Sequence, residues 1–300
     1  MNKTKVLLLS LLSVFVIFIL YQGIGSLIAL LLFKNNITDN INNFRLFTVA
    51  SQILLILLPA LIFSKKFFAH INEVFPTEKI NLRQISLFFL GYFILYSNLS
   101  NIIYFQSLLM DYLSSISPAF HSIKTFFESN SNDIEKMYKS ILSVNNVVDF
   151  LIVFIMVAIT PAMCEELFFR GFLQHFMQQK FNFFITALFV GLFFSLMHFD
   201  FTAFIPYILL SIYFSYVVYR SNSIFSSIFL HFTNNFMAFL ASLLLKSDDI
   251  FNKSKITSDM DLKTSILSFI VLTIAFIILI IYIEKSFKIS SEIDNMDDIS

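Results

Sequence analysis

Long, uncharged apolar runs dominate the chain, and short polar stretches separate them. A helix that spans a bilayer needs about 20 mostly apolar residues. Gly and Pro number only five each, so few residues would interrupt such helices. The pattern predicts an all-α, polytopic membrane protein with about eight transmembrane helices, which we place at about 6–33, 46–63, 84–105, 148–172, 182–199, 203–219, 224–245 and 264–283.

The composition supports lipid as the solvent of this chain. Hydrophobic residues make up 57% of the sequence and charged residues 13%, whereas soluble domains carry about 25% charged residues. The first apolar run follows Lys3 and Lys5 and is far longer than the apolar core of about 7–15 residues in a signal peptide. We therefore interpret it as a retained anchor. No Lys/Arg cluster is longer than Lys65-Lys66, so we expect no nucleic acid partner.

The basic residues of the loops predict the orientation in the membrane. Cytoplasmic loops are enriched in Lys and Arg. With the N-terminus inside, eleven of the 20 basic residues fall on the inner side and nine on the outer side. We expect an integral protein of the bacterial cytoplasmic membrane with both termini in the cytoplasm.

The chain has no internal repeat and is interpreted as a single membrane domain, 1–300. Residues 105–113 and 134–142 are expected to form amphipathic helices on the outer surface. The predicted parts are scaffold helices with this outer segment at 1–145, a catalytic core at 146–245, a final helix at 246–289 and a disordered acidic tail at 290–300.

The fourth apolar run contains ionisable residues, which are costly inside a membrane and usually mark a functional site. Glu166 and Arg170 are four residues apart, so they share a helix face and can pair. Glu165 is rotated by roughly 100° from Glu166. It therefore needs a partner on another helix.

Two further runs supply candidate partners. The fifth ends in His198, and the seventh carries His231 and Asn235 one helical turn apart. Glu165 and His198 are nearly equidistant from the short turn near residue 181, so an antiparallel hairpin places them at the same level. We expect Glu165, His198, His231 and Asn235 to meet around one water-accessible pocket, a buried polar active site.

These four residue types together suit acyl hydrolysis. A carboxylate and an imidazole can activate a water molecule as general bases. A histidine and an amide can donate hydrogen bonds to the developing oxyanion. Glu165 and His198 would take the first role, and His231 and Asn235 the second. The predicted function is hydrolysis of a peptide bond near the membrane surface, on a peptide or protein substrate that is lipidated or membrane-anchored, with no cofactor.

The same residues resemble the motifs of a known family. Glu165-Glu166-x-x-x-Arg170, Phe194-x-x-x-His198 and His231-x-x-x-Asn235 are similar to the three motifs of the CAAX-protease and bacteriocin-processing (CPBP, or Abi) intramembrane proteases. The resemblance implies an eight-helix core and a glutamic endopeptidase. It makes Glu165 the catalytic glutamate, His198 its partner, His231 and Asn235 the oxyanion pair, and Glu166 and Arg170 supporting residues.

Three other functions stay open at this stage. Glu165, His198 and His231 could ligate zinc in a metalloprotease, although no H-E-x-x-H motif is present. Intramembrane acids and histidines also serve proton-coupled transporters, although the chain lacks the internal repeats that many transporters have. The third is a non-catalytic bacteriocin-immunity-type membrane protein. The sequence also leaves the substrate, the cleavage site and the oligomeric state open.

Overall fold

The computed structural model describes residues 2–33, 40–68, 70–198, 200, 203–244 and 260–297, with the side chains of 127–136 and 287–297 left out. The described residues form helices and no strand, apart from an isolated bridge between Thr77 and Ser223, so the all-α class is confirmed. The helices are α1 (Lys3–Phe33), α2 (Ile41–Phe67), α3 (Ile71–Val74), α4 (Leu82–Ile116), α5 (Pro118–Leu142), α6 (Val147–Gln178), α7 (Phe183–Met197), α8 (Phe204–Ser221), α9 (Ile224–Leu244) and α10 (Leu262–Asp297).

Six of these helices are long and apolar enough to cross a bilayer, which confirms a polytopic membrane protein. They are α1, α2, α4, α6, α9 and the Leu262–Ser286 part of α10. The predicted spans at 182–199 and 203–219 correspond to α7 and α8, and α7 is apolar but only 15 residues long. The total of eight spans therefore stays a prediction.

Two segments differ from the prediction. Residues 105–113 do not form a separate surface helix, because α4 continues without a break to Ile116. The helix α10 continues to Asp297, where a disordered tail was expected from residue 290. Adding residues to an existing helix is far easier than nucleating a new one, which explains both extensions. Residues 298–300 of the tail and residues 246–259 of the predicted final helix lie outside the described part of the chain.

The helix ends define two faces of the bundle. We call the first the basal face. It carries the end of α2, the start of α4, the end of α6, the α8–α9 turn and the region of α10 around Tyr282. The contacts that join these ends are Phe68 with His175, Thr77 with Ser223, and Arg83 with Tyr282.

The other face is held together by one buried arginine, and we call it the clasp face. Arg45, near the start of α2, donates from Nε to the carbonyl oxygen of Ile141 at 2.8 Å and from Nη2 to that of Ser143. These are among the last carbonyl groups of α5, which lack helical partners. Nη1 of Arg45 also lies 3.8 Å from Asp149, near the start of α6. These contacts of Arg45 thus hold the end of α5 against the start of α6.

Asparagine residues begin and end the helices that carry the motifs. Asn146 and Asn182 accept hydrogen bonds from the backbone N–H groups of Asp149 and Ile185, at 2.9 Å in both cases. These are N-caps, which start α6 and α7. Asn222 has a φ of 48°, a left-handed conformation that ends α8 and turns the chain into α9. The caps and the turn set the hairpins that bring α6, α7 and α9 together.

The close approach of the linker before α4 to α6 requires a glycine. A Cβ atom at Gly171 would lie 2.4 Å from the ring of Phe75, whereas one at Gly23 would meet its nearest neighbour at 3.9 Å. Alanine normally stabilises a helix by about 1 kcal/mol over glycine. We expect overpacking to outweigh this at Gly171, so that Gly171→Ala lowers the unfolding temperature in detergent by the equivalent of about 1–3 kcal/mol. Gly23→Ala, the matched control, should leave it unchanged or raise it. Equal stabilisation by both changes would contradict the packing argument.

Candidate active site

A cavity of about 170 Å³ lies toward the clasp face, with room for several water molecules. Two of the predicted site residues line it, Glu165 from α6 and His198 at the end of α7. The other lining residues are Tyr21, Gln22, Ile56, Tyr138, Phe168, Phe169 and Met197.

Glu165 and His198 lie side by side, as the hairpin argument predicts. Oε2 of Glu165 is 3.9 Å from Nε2 of His198, and the two side chains are 16% and 27% exposed. Nδ1 of His198 lies 2.7 Å from the carbonyl oxygen of Phe194. A carbonyl oxygen can only accept, so Nδ1 carries the proton. In the neutral imidazole, Nε2 therefore presents its lone pair toward Glu165.

The neighbouring carboxylate points into the protein core. Oε1 of Glu166 accepts hydrogen bonds from Nη1 of Arg170 at 2.7 Å and from Nδ1 of His231 at 2.8 Å. Nη2 of Arg170 also donates to Oγ of Ser211 on α8 at 2.8 Å. The predicted pair of Glu166 and Arg170 is thus present, and it extends to two other helices. A buried charge is tolerated only with such partners.

The ring of Phe194 lies between the two polar groups of residues. Its centroid is 4.5 Å from that of His198 and 5.8 Å from that of His231. The guanidinium carbon of Arg170 lies 4.7 Å from the same ring and 5.4 Å from that of Phe214, within the range of cation–π attraction. The phenylalanine of the second motif therefore contacts both histidines and the arginine.

The expected convergence of four side chains on one pocket is only partly present. His231 is not among the residues that line the cavity, because its hydrogen bond to Glu166 holds it in the core, and Phe214 stacks on its ring at 5.8 Å. Asn235 does not line the cavity either, and its Oδ1 accepts from Nδ2 of Asn234 at 3.1 Å. The oxyanion role of this pair stays a prediction.

The sequence interpretation missed the residues that helices α1, α2 and α5 contribute. Tyr21 and Gln22 of α1, Ile56 of α2 and Tyr138 of α5 all line the cavity, although the region 1–145 was interpreted mainly as scaffold. One signal was present in the sequence. Tyr21-Gln22 is a polar pair in the middle of an otherwise apolar run, a position where polar groups are costly.

The described residues contain no group of three or more His, Cys, Asp and Glu side chains that could hold a metal ion. The hydrogen bond of His231 to Glu166 uses Nδ1 and leaves Nε2 for another contact. The zinc alternative, with Glu165, His198 and His231 as ligands, stays a hypothesis.

The fold and the site define a polytopic membrane protein with a carboxylate–imidazole pair in a polar cavity among its helices. Residues 147–237 match the family described as type II CAAX prenyl endopeptidase Rce1-like. This segment, under a third of the chain, belongs to that family and contains all three motifs, which confirms the predicted resemblance. The match concerns this segment of the chain and is consistent with a protease of the CAAX type. No curated protein and no solved structure matches the chain.

Proposed function

We propose that this protein is a glutamic intramembrane endopeptidase in which Glu165 and His198 activate the water that hydrolyses a peptide bond. One observation carries the proposal: the two side chains face each other at 3.9 Å in a cavity large enough for water. That separation is too long for a direct hydrogen bond. Two acceptors that share one water at normal hydrogen-bond distances lie about 4 Å apart.

A water in this position would donate one hydrogen to Oε2 of Glu165 and the other to Nε2 of His198. Its lone pairs would then point into the cavity. As the water oxygen bonds to the scissile carbonyl carbon, one of its protons passes to the pair. The carbon–nitrogen bond then breaks, and that proton passes to the leaving amine. The products are one new carboxyl group and one new amine, and the pair is restored.

His231 and Asn235 are proposed as the donors to the oxyanion. Nδ1 of His231 already donates its proton to Glu166. To donate from Nε2 as well, the imidazole must carry a proton on each ring nitrogen. Glu166 and Arg170 lie in the core and not in the cavity. They would support the oxyanion pair from the core side.

The proposed substrate is a peptide or protein held at the bilayer. A prenylated C-terminal peptide is the first candidate, because the matched family is one of CAAX prenyl endopeptidases. No cofactor takes part in the proposed chemistry. The test uses the protein purified in detergent and a peptide library that contains farnesylated and unmodified cysteines. Cleavage that persists in a strong chelator supports the proposal. Cleavage that is lost on chelation and restored by zinc would favour the metalloprotease, and no cleavage would contradict both.

We also propose that both termini are cytoplasmic, so that the cavity opens away from the cytoplasm. The basal face carries Lys65, Lys66, Arg83 and Lys285 at helix ends, a local concentration of the charge that favours the inner side. The cavity lies toward the clasp face, as the contribution of Tyr138 from α5 indicates.

Cysteine labelling in intact cells tests this orientation. Ser122 of α5 and Asn72 of α3 are both exposed, on the clasp side and the basal side respectively, and the one native cysteine, Cys164, is buried. We expect Ser122→Cys to react with a membrane-impermeant maleimide in intact cells, and Asn72→Cys to react only after permeabilisation. The reverse pattern would place the termini outside and the cavity opening in the cytoplasm.

A further inference from the structure

The first helix contributes a tyrosine to the lining of the cavity, and neither the motifs nor the proposed mechanism uses its hydroxyl group. Tyr21 and its neighbour Gln22 line the cavity together with Glu165 and His198. Nε2 of Gln22 donates to the carbonyl oxygen of Met197 at 2.9 Å, and Met197 directly precedes His198. This hydrogen bond fixes this turn of α1 against the end of α7, so Tyr21 is held in register with the pair.

The hydrogen bond of Tyr21 gives its hydroxyl a direction. Nε2 of Gln52, a buried side chain of α2, donates to the phenolic oxygen of Tyr21 at 3.5 Å. Tyr21 is the acceptor in this contact, so its own proton is not used there. Within the described part of the chain, that proton is available to an acceptor that enters the cavity.

The backbone of α1 is widened where it borders the cavity. Residues Ile19–Gly25 form a π-helical turn that contains Tyr21 and Gln22. In α6, residues Leu167–Leu173 form another π-helical turn, which contains the lining residues Phe168 and Phe169. Turns of this kind are rare and frequently occur at functional sites. In α2, residues Ile53–Leu57 form a third such turn, which contains the lining residue Ile56, so three helices that carry lining residues share this feature.

The proposed hydrolysis needs a hydrogen-bond donor at the carbonyl oxygen of the substrate. Oxyanion sites commonly use more than one donor. Tyr21 lines the cavity, whereas the proposed donors His231 and Asn235 do not. We propose that Tyr21 is a further catalytic residue, whose hydroxyl donates a hydrogen bond to the carbonyl oxygen of the scissile peptide bond. This inference rests on the proposed endopeptidase function. It gives α1 a chemical role besides that of a scaffold.

The test compares Tyr21→Phe with Tyr213→Phe on the peptide that the wild-type protein cleaves best. The hydroxyl of Tyr213 donates to the carbonyl oxygen of Phe88 at 2.7 Å, and Tyr213 does not line the cavity. Loss of an oxyanion donor typically reduces kcat by about 10²–10³-fold. We expect Tyr21→Phe to lower kcat by about this factor, with KM and the unfolding temperature little changed. Tyr213→Phe should lower the unfolding temperature and leave kcat unchanged.

Glu165→Ala, measured in the same assay, separates this inference from the proposed function. If Glu165→Ala is inactive and Tyr21→Phe keeps the wild-type kcat, the role of Tyr21 is wrong while the endopeptidase proposal stands. A rise in KM alone in Tyr21→Phe would also overturn the role, because it would indicate binding of the ground state only. If Glu165→Ala cleaves as fast as the wild type, both proposals fail.

Discussion

Replacement of Glu165 by alanine is expected to abolish peptide cleavage while the protein stays folded in detergent. The change removes one of the two acceptors that would hold and deprotonate the water, and it leaves Nε2 of His198 without its neighbour at 3.9 Å. General-base catalysis typically contributes about 10²–10⁴-fold to the rate. We expect a loss in kcat of at least about 10³-fold, measured on the library peptide that the wild type cleaves best. His198→Ala should have the same effect.

Two controls make this result specific. Glu165→Gln keeps the size of the side chain and removes its basicity, so it should be as inactive as the alanine variant. Glu284→Gln changes a partly exposed carboxylate near the basal face, which accepts from the hydroxyl of Tyr216 at 2.9 Å, and should keep full activity. Full activity in Glu165→Ala would overturn the assignment.

The double variant shows whether Glu165 and His198 act as one unit. Groups that share one catalytic step have grossly non-additive effects. The variant Glu165→Ala with His198→Ala should therefore lose no more activity than either single variant. Losses that multiply would mean that the two side chains act in separate steps.

The sequence predicts the helices well and their ends less well. A long apolar run has one stable form in lipid, the helix, because every backbone polar group must be bonded internally. Local apolarity does not determine where a helix stops. The break between α4 and α5 falls at Ser117, immediately before Pro118, a residue type that favours the start of a helix. The predicted boundary near residue 105 rested on hydropathy alone.

The candidate site was predictable to the extent that it depends on helix periodicity. The spacing of Glu166 and Arg170 gives their pairing, and the nearly equal distances from the turn near residue 181 give the proximity of Glu165 and His198. Which carboxylate bonds His231 depends on how α9 packs against α6, and no local pattern contains that information. The same holds for Tyr21 and Tyr138, whose side chains reach the cavity through contacts between helices far apart in sequence.

Arg170→Met is expected to cause the largest loss of stability. Arg170 and Glu166 are both 0% exposed, and the guanidinium bonds Glu166 at 2.7 Å and Ser211 at 2.8 Å. Methionine fills much of the same space but leaves the carboxylate of Glu166 without its charged partner. Breaking a buried ion pair in this way costs about 3–5 kcal/mol. The measurement is the unfolding temperature in detergent, together with the yield of folded protein.

The matched control is the partly exposed pair of Arg220 and Glu284, in which the side chains are 22% and 46% exposed and lie 3.0 Å apart. Exposed pairs contribute about 0–1 kcal/mol, so Arg220→Met should have little effect. The double variant Glu166→Gln with Arg170→Met removes both buried charges and should regain part of the lost stability, since the cost arises from an uncompensated charge. If Arg170→Met were as mild as Arg220→Met, water or His231 would have to neutralise Glu166 without Arg170, and the core network would not depend on this arginine.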